Sequence, residues 1–180
     1  MARPSGDDLT PTPPPVAATA ATAQQAWAAV RVGACDVGRG LFAARTISEG
    51  EAILRFEGPV LTLAEVRAKG PHSANALQVG INRYLDLIEP GVLVNHSCEP
   101  NAGIREMVML VALAEIAADE EIRFDYSTTV GDFWTMPCRC GRATCRGVVA
   151  SFASLPEQVR ATYVGLGVVQ PFLIDTPSSR

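Results

Sequence analysis

Lysine is nearly missing from this chain of 180 residues: among fifteen lysines and arginines, only Lys69 is a lysine. Histidine is as sparse, and with His72 and His96 alone a histidine-rich metal site is excluded. A basic surplus is absent too. The net charge is -4, and without a basic surface to displace counterions from phosphate the chain does not read as a nucleic-acid binder. An acidic protein attracts a basic partner instead. No apolar run is long enough to span a bilayer, so no membrane association is expected. A basic leader is lacking as well: the alanine-rich stretch at 16–30 follows Asp7, Asp8 and a proline cluster, unlike a signal peptide. The chain is therefore expected in the cytoplasm, or in the nucleus if the source is eukaryotic.

What is present suffices for a buried core, with 48% hydrophobic and 19% charged residues. Residues 1–25 are rich in Pro, Ala and Thr and offer few large apolar groups to offset the entropy of ordering, which reads as a flexible tail. Order is expected from Trp27. Short strand-like runs follow at 27–32, 38–44, 52–56, 59–63, 76–79, 84–87, 103–105, 108–113 and 121–125, separated by glycine and proline turns. One or two helical turns are expected over 63–69, ended by Gly70-Pro71. Later, Ser154 in the cap position, Pro156 in the first turn and Glu157 three residues on predict a helix to about 164 that stops at Gly165. Many short strands with little helix make the fold mainly β.

Gly38-Arg39-Gly40-Leu41-Phe42-Ala43 fits the glycine pattern of dinucleotide sites. That reading needs a helix directly after the glycines, to present its positive end to a pyrophosphate. Here another turn, Ser48-Glu49-Gly50, and another strand-like run follow instead. The segment reads as a hairpin turn, or as a backbone loop that lets a ligand approach closely.

Cys138, Cys140 and Cys145 fall within eight positions, with Gly141 after the second. In a reducing compartment such a cluster points to metal rather than to disulfides, and zinc takes four soft ligands in a tetrahedron. Cys35 and Cys98 are both available as the fourth, and Cys98 is favoured for the company it keeps. It lies in Asn95-His96-Ser97-Cys98-Glu99-Pro100-Asn101, a polar and turn-forming segment straight after the apolar run 92–94. Cys35 is then an ordinary thiol. Read locally, 120–126 is an edge strand ending in Tyr126.

Taken together, Gly38-Arg39-Gly40, the 95–101 segment, Phe124-Asp125-Tyr126 and the Cys138, Cys140, Cys145 cluster resemble, in order and spacing, the SET-domain protein lysine methyltransferases with their post-SET zinc motif. The resemblance covers about 28–148. It implies a SET-type fold of several small sheets, with few helices and a threaded, knot-like active site formed by the Asn95 and Tyr126 segments. It divides the chain into the tail at 1–25, a SET-like catalytic domain at 26–130, a zinc-binding segment at 131–148, and a C-terminal helix and tail at 149–180. It implies S-adenosyl-L-methionine as methyl donor and a protein lysine as acceptor. Tyr126 is then the hydroxyl at the transfer point, with Gly38, Arg39, Gly40, Asn95 and His96 around the cofactor. Phe133 or Trp134 packs on the adenine or closes the lysine channel, and Tyr84 and Phe124 wall that channel. Cys98 joins Cys138, Cys140 and Cys145 on zinc.

The acceptor it implies is a basic lysine-containing protein or peptide, with a histone-like or ribosomal tail as candidates. Phe124, where relatives with Phe accept higher methylation states than those with Tyr, implies multiple methylation. Two departures from the family pattern stand out: Phe56-Glu57-Gly58, where many relatives carry Tyr, and the short stretch from Lys69 to Tyr84 in the region that selects substrate. Two rival readings are a non-catalytic module that docks peptides, and a small zinc-binding structural protein. Neither needs Tyr126, Asn95 and His96 together.

Overall fold

A computed structural model describes residues 28–131 and 134–174. The tail at 1–25, Trp27 and Phe133 lie outside the described residues. Twelve short strands form three two-stranded and two three-stranded sheets among these residues. β1 (Val30–Cys35) and β2 (Gly38–Ala43) make an antiparallel hairpin, closed where Cys35 faces Gly38. No helix follows the glycines, in agreement with the hairpin reading. The first strand begins later than its sequence pattern suggests and runs through Gly33, because cross-strand pairing to Gly40 carries it past the glycine.

β3 (Ala52–Arg55), β8 (Ala102–Arg105) and β9 (Met109–Ala112) form one antiparallel sheet, and β4 (Val60–Leu61), β5 (Ala76–Gly80) and β6 (Arg83–Asp86) form another. β5 alternates buried Leu77 and Val79 with half-buried neighbours, the period of a strand with one face on the core. Gly58, in the departure from the family pattern, is obligatory. Its φ is 153°, and a Cβ there would sit 1.9 Å from the Asp86 carbonyl oxygen. The main core contains Leu41, Ile47, Ile53, Phe56, Leu110, Ile116 and Ile122, each at most 1% exposed. Each such side chain contributes about 1.5–3 kcal/mol relative to exposure. Phe56 is therefore core and stacks on Phe124 at 5.8 Å.

α1 (Leu63–Ala68) carries a capping box, with Thr62 and Glu65 each satisfying the other's backbone N–H. It passes through Lys69 into a 3-10 turn over Gly70–Asn75. α2 (Glu157–Gly165) stops where the sequence predicts, but its cap does not form as predicted. Ser154 closes a preceding 3-10 turn (Phe152–Ser154) and its hydroxyl donates to Ser151 O, so Pro156 starts the helix with no side-chain cap. A short α3 (Pro171–Ile174) follows, and no helix among the described residues is long and apolar enough to cross a membrane. Phe152, Leu155, Tyr163, Val168 and Val169 build a second core between this C-terminal segment and Leu113.

Candidate active site

Two strands of two residues each create the site. β7 (Asn95–His96) and β10 (Arg123–Phe124) run parallel, pairing Arg123 with Asn95 and Phe124 with His96. The expected strand at 121–125 thus shrinks to two residues, and it ends because the Asp125 carboxylate accepts from Ser127 N and caps a 3-10 turn, Tyr126–Thr128. Tyr126 sits on that turn. Asn101 locks the return path: its amide donates to Glu120 Oε1 and Glu121 O, and its oxygen accepts from Arg123 N.

Tyr126, Phe124, Tyr84 and Val94 face a cavity of about 300 Å³, walled further by α1, the Gly70–Asn75 turn, β5, Thr129, Val130 and Trp134. Among the described residues its lining includes one charged residue, Arg67, and no carboxylate. Phe124 lies 4.8 Å from the Tyr126 ring. The Tyr126 hydroxyl donates to Val94 O at 2.8 Å. Burial, with the Glu121 carboxylate next, pushes its pKa above the ordinary phenol value, so it stays protonated at neutral pH.

His96 is 7% exposed and meets the Tyr126 ring edge-on at 5.3 Å. Its Nδ1 accepts the Tyr126 backbone N–H at 3.3 Å, which leaves the ring proton on Nε2, facing Cys98 Sγ at 3.4 Å. Burial lowers its pKa to about 4 despite nearby Asp125, so the ring is neutral. The Asn95 amide nitrogen donates to Glu121 Oε1 (2.8 Å), to Arg39 O (3.1 Å) and to Cys35 Sγ (3.4 Å). Its oxygen has no partner among the described residues.

Gly40 leaves room for this cluster: a Cβ there would lie 2.6 Å from Glu121 Oε1 and 3.1 Å from the Asn95 amide nitrogen and would push these side chains aside. Arg39 extends to Glu89 at 2.8 Å. Gly38, Arg39, Gly40, Asn95 and His96 do not line the cavity; Gly40 and Asn95 lie against Glu121, the Arg39 carbonyl accepts from Asn95, and His96 touches Tyr126, which belongs to the cavity. A glycine-flanked main chain beside an amide oxygen with no partner among the described residues fits the amino-acid end of S-adenosyl-L-methionine.

The sulfur atoms of Cys98, Cys138, Cys140 and Cys145 all lie within 4.8 Å of one another, and Cys98 and Cys138 are 3.7 Å apart. Tetrahedral Zn–S bonds require sulfur–sulfur edges of about 3.8 Å, so this set fits zinc. Four thiolates so close would repel without a cation. The ligand loop is closed by β11 (Met136–Pro137) and β12 (Val148–Val149), a pair that leaves no mark in the sequence. Backbone N–H groups of Arg146 and Gly147 point at Cys98 and Cys145 sulfurs. Cys35 stays outside the cluster, half-buried.

Sequence patterns give no site role to Glu121, Arg146 or Tyr163, and name Asp125 only inside the motif Phe124-Asp125-Tyr126. The Asp125 carboxylate is fully buried and accepts from Arg146 Nη2 (2.8 Å) and Tyr163 Oη (2.9 Å). The arginine arrives from the cysteine segment and the tyrosine from α2. Only the Glu121–Arg123 pair, two apart in one strand-like run, carries a local signal.

Small β sheets, a half-buried tyrosine on the wall of a largely apolar cavity and a four-cysteine cluster beside it define a cysteine-clasped β domain with Tyr126 at its centre. The sequence pattern of the SET domain matches residues 38–127, half of the chain. The chain belongs to the SET domain family. It is 32% identical over 127 residues to the Saccharomyces cerevisiae histone-lysine N-methyltransferase, H3 lysine-4 specific, covering 60% of this chain and 12% of that protein. It is 30% identical over 131 residues to Homo sapiens histone-lysine N-methyltransferase 2B, covering 61% and 5%. This chain therefore spans about an eighth or less of these relatives' length. Among solved structures, a chain of a humanized mutant of the Chaetomium thermophilum Polycomb Repressive Complex 2 shares the fold with a TM-score of 0.50 and 21% identity, over 58% of this chain and 15% of that one.

Proposed function

We propose that this chain is a protein-lysine N-methyltransferase that uses S-adenosyl-L-methionine. The observation that carries the reading is the Tyr126 hydroxyl, fixed on Val94 O in a largely apolar cavity with no carboxylate among its described lining residues. A lysine amine, with an ordinary pKa of about 10.4, is protonated and not nucleophilic at pH 7. The described lining is largely apolar and offers no anion to hold the ammonium, so the cavity would disfavour the charged form and lower the amine's pKa. When bound, S-adenosyl-L-methionine supplies an electrophilic methyl group, whose carbon–sulfur bond breaks as the bond to the amine nitrogen forms.

Tyr126 keeps its proton, so it acts through its oxygen: it orients the reacting groups and meets developing charge, and it is no base. Neutral His96 holds the Tyr126 backbone through Nδ1, and with Asn95 and the Gly38–Arg39–Gly40 main chain it would bound the cofactor. Trp134, on the cavity wall, would close the lysine channel. Cys98, Cys138, Cys140 and Cys145 would hold zinc, which supplies a cross-link between the Asn95 segment and 138–147.

The net charge of -4 favours a basic acceptor, and the yeast relative's name specifies lysine 4 of histone H3. A histone-type tail is the acceptor class we infer, which would place the chain with chromatin and not in the cytoplasm. Calorimetric titration with S-adenosyl-L-methionine, then transfer of labelled methyl to histone-tail and other basic peptides, tests the reading. Binding followed by label on lysine is expected. Peptide binding without transfer would instead make the chain a docking module.

Phe124 sets the product. It is 4% exposed and has no hydroxyl to hold water where a second methyl must turn. Mass spectrometry should find di- or trimethyl-lysine from the wild type and mainly monomethyl-lysine from Phe124→Tyr. A wild type that stops at one methyl contradicts this.

A further inference from the structure

The SET match ends at residue 127 and the last cysteine of the clasp is Cys145, yet the chain continues into α2 and α3 against the same site. We propose that Tyr163, on α2, is a positioning residue for Tyr126, acting through Asp125. The inference rests on the methyltransferase reading and concerns what holds its reacting phenol in place.

Asp125 directly precedes Tyr126, and its carboxylate has no exposed surface. Oδ1 takes Arg146 and the Ser127 N–H that starts the turn carrying Tyr126. Tyr163 Oη donates to Oδ2 at 2.9 Å and is the sole side-chain donor to that oxygen among the described residues. A buried carboxylate oxygen left unpaired is costly, so it turns to find another donor. Any such turn alters the cap of the Tyr126–Thr128 turn. The rest of the C-terminal segment grips the same stretch. Gln170 N donates to Thr128 O, Phe152 N donates to Val130 O, and Leu173 and Phe172 pack against Gly131 so closely that a Cβ there would meet them at 2.8 and 3.0 Å. Thr129 and Val130 are cavity wall. The C-terminal segment therefore braces both the phenol and the wall beside it, and Tyr163 is the member that reaches the residue next to the phenol.

The test is Tyr163→Phe in the full chain, which removes one oxygen. Misplacing a reacting group by a fraction of an ångström is expected to lower kcat about tenfold, with cofactor affinity, peptide KM and zinc content within twofold of wild type. Val159→Ala, on the same helix and packed in the second core without touching Asp125, is the control. It should lower the melting temperature yet leave kcat unchanged below the melt. In a Tyr126→Phe background, Tyr163→Phe should cost no further rate. Unchanged kcat in Tyr163→Phe, equal losses in Val159→Ala, additive losses in the double variant, or loss of a cooperative melt in Tyr163→Phe each overturn the proposal. A wild type without any transfer overturns the methyltransferase reading instead.

Discussion

Tyr126→Phe is expected to bind S-adenosyl-L-methionine within a few-fold of wild type and to transfer methyl groups about 10²–10³-fold more slowly, the loss typical of removing one preorganised polar group from a reacting centre. The ring stays packed on Phe124 and against His96, so the cavity keeps its shape. What disappears is the oxygen held on Val94 O. That bond is worth about 1 kcal/mol of stability, too little to unfold the chain. Single-turnover measurements with saturating cofactor isolate the step. Transfer within threefold of wild type would remove Tyr126 from the reaction, and lost cofactor binding would make it a binding group.

Stripping the metal should have the second large effect. One zinc per chain is expected, and chelation should weaken S-adenosyl-L-methionine binding by about tenfold or more while 138–147 loses its order. The reason is a short path. Cys98 faces His96 Nε2, and His96 Nδ1 holds the Tyr126 backbone. Arg123 donates to Cys140 O, and Arg146 pairs with Asp125. Without metal, four crowded sulfurs must take up protons or move apart, and these contacts go with them. Cys98→Ser should reproduce the loss, because it removes the one ligand from the Asn95 segment, whereas Cys35→Ser should bind zinc normally. Metal analysis and calorimetry on both variants check this. Unchanged cofactor binding in a metal-free preparation would contradict it.

Much of the architecture was readable before any coordinates. Strands at 38–43, 52–55, 76–80 and 109–112 follow glycine-punctuated apolar runs, and the hairpin at Gly38 was distinguishable from a nucleotide loop by the missing helix. The clasp was readable as well, since three cysteines lie within eight positions and Cys98 stands in a polar segment. Misreadings had local causes. Ser154 looked like a cap, but its hydroxyl found Ser151 O first. The capping box at Thr62 and Glu65 carries little signal in the sequence, because a helix of six residues has little apolar period.

By itself, then, the sequence determined the mainly β class, the family and the chemical inventory of the site: Tyr126, the polar segment at 95–101 and Cys98, Cys138, Cys140 and Cys145. These are properties of residue type and short spacing, which survive without knowledge of the fold. Tertiary structure alone decided which of them meet. β7 and β10 are two residues long and 28 positions apart, so their pairing has no local periodicity to betray it. Asp125, Arg146 and Tyr163 are brought together across as many as 38 positions by burial of a carboxylate that needs donors from wherever the chain can supply them. Such a partner is chosen by the packed interior, and no pattern along the chain announces it.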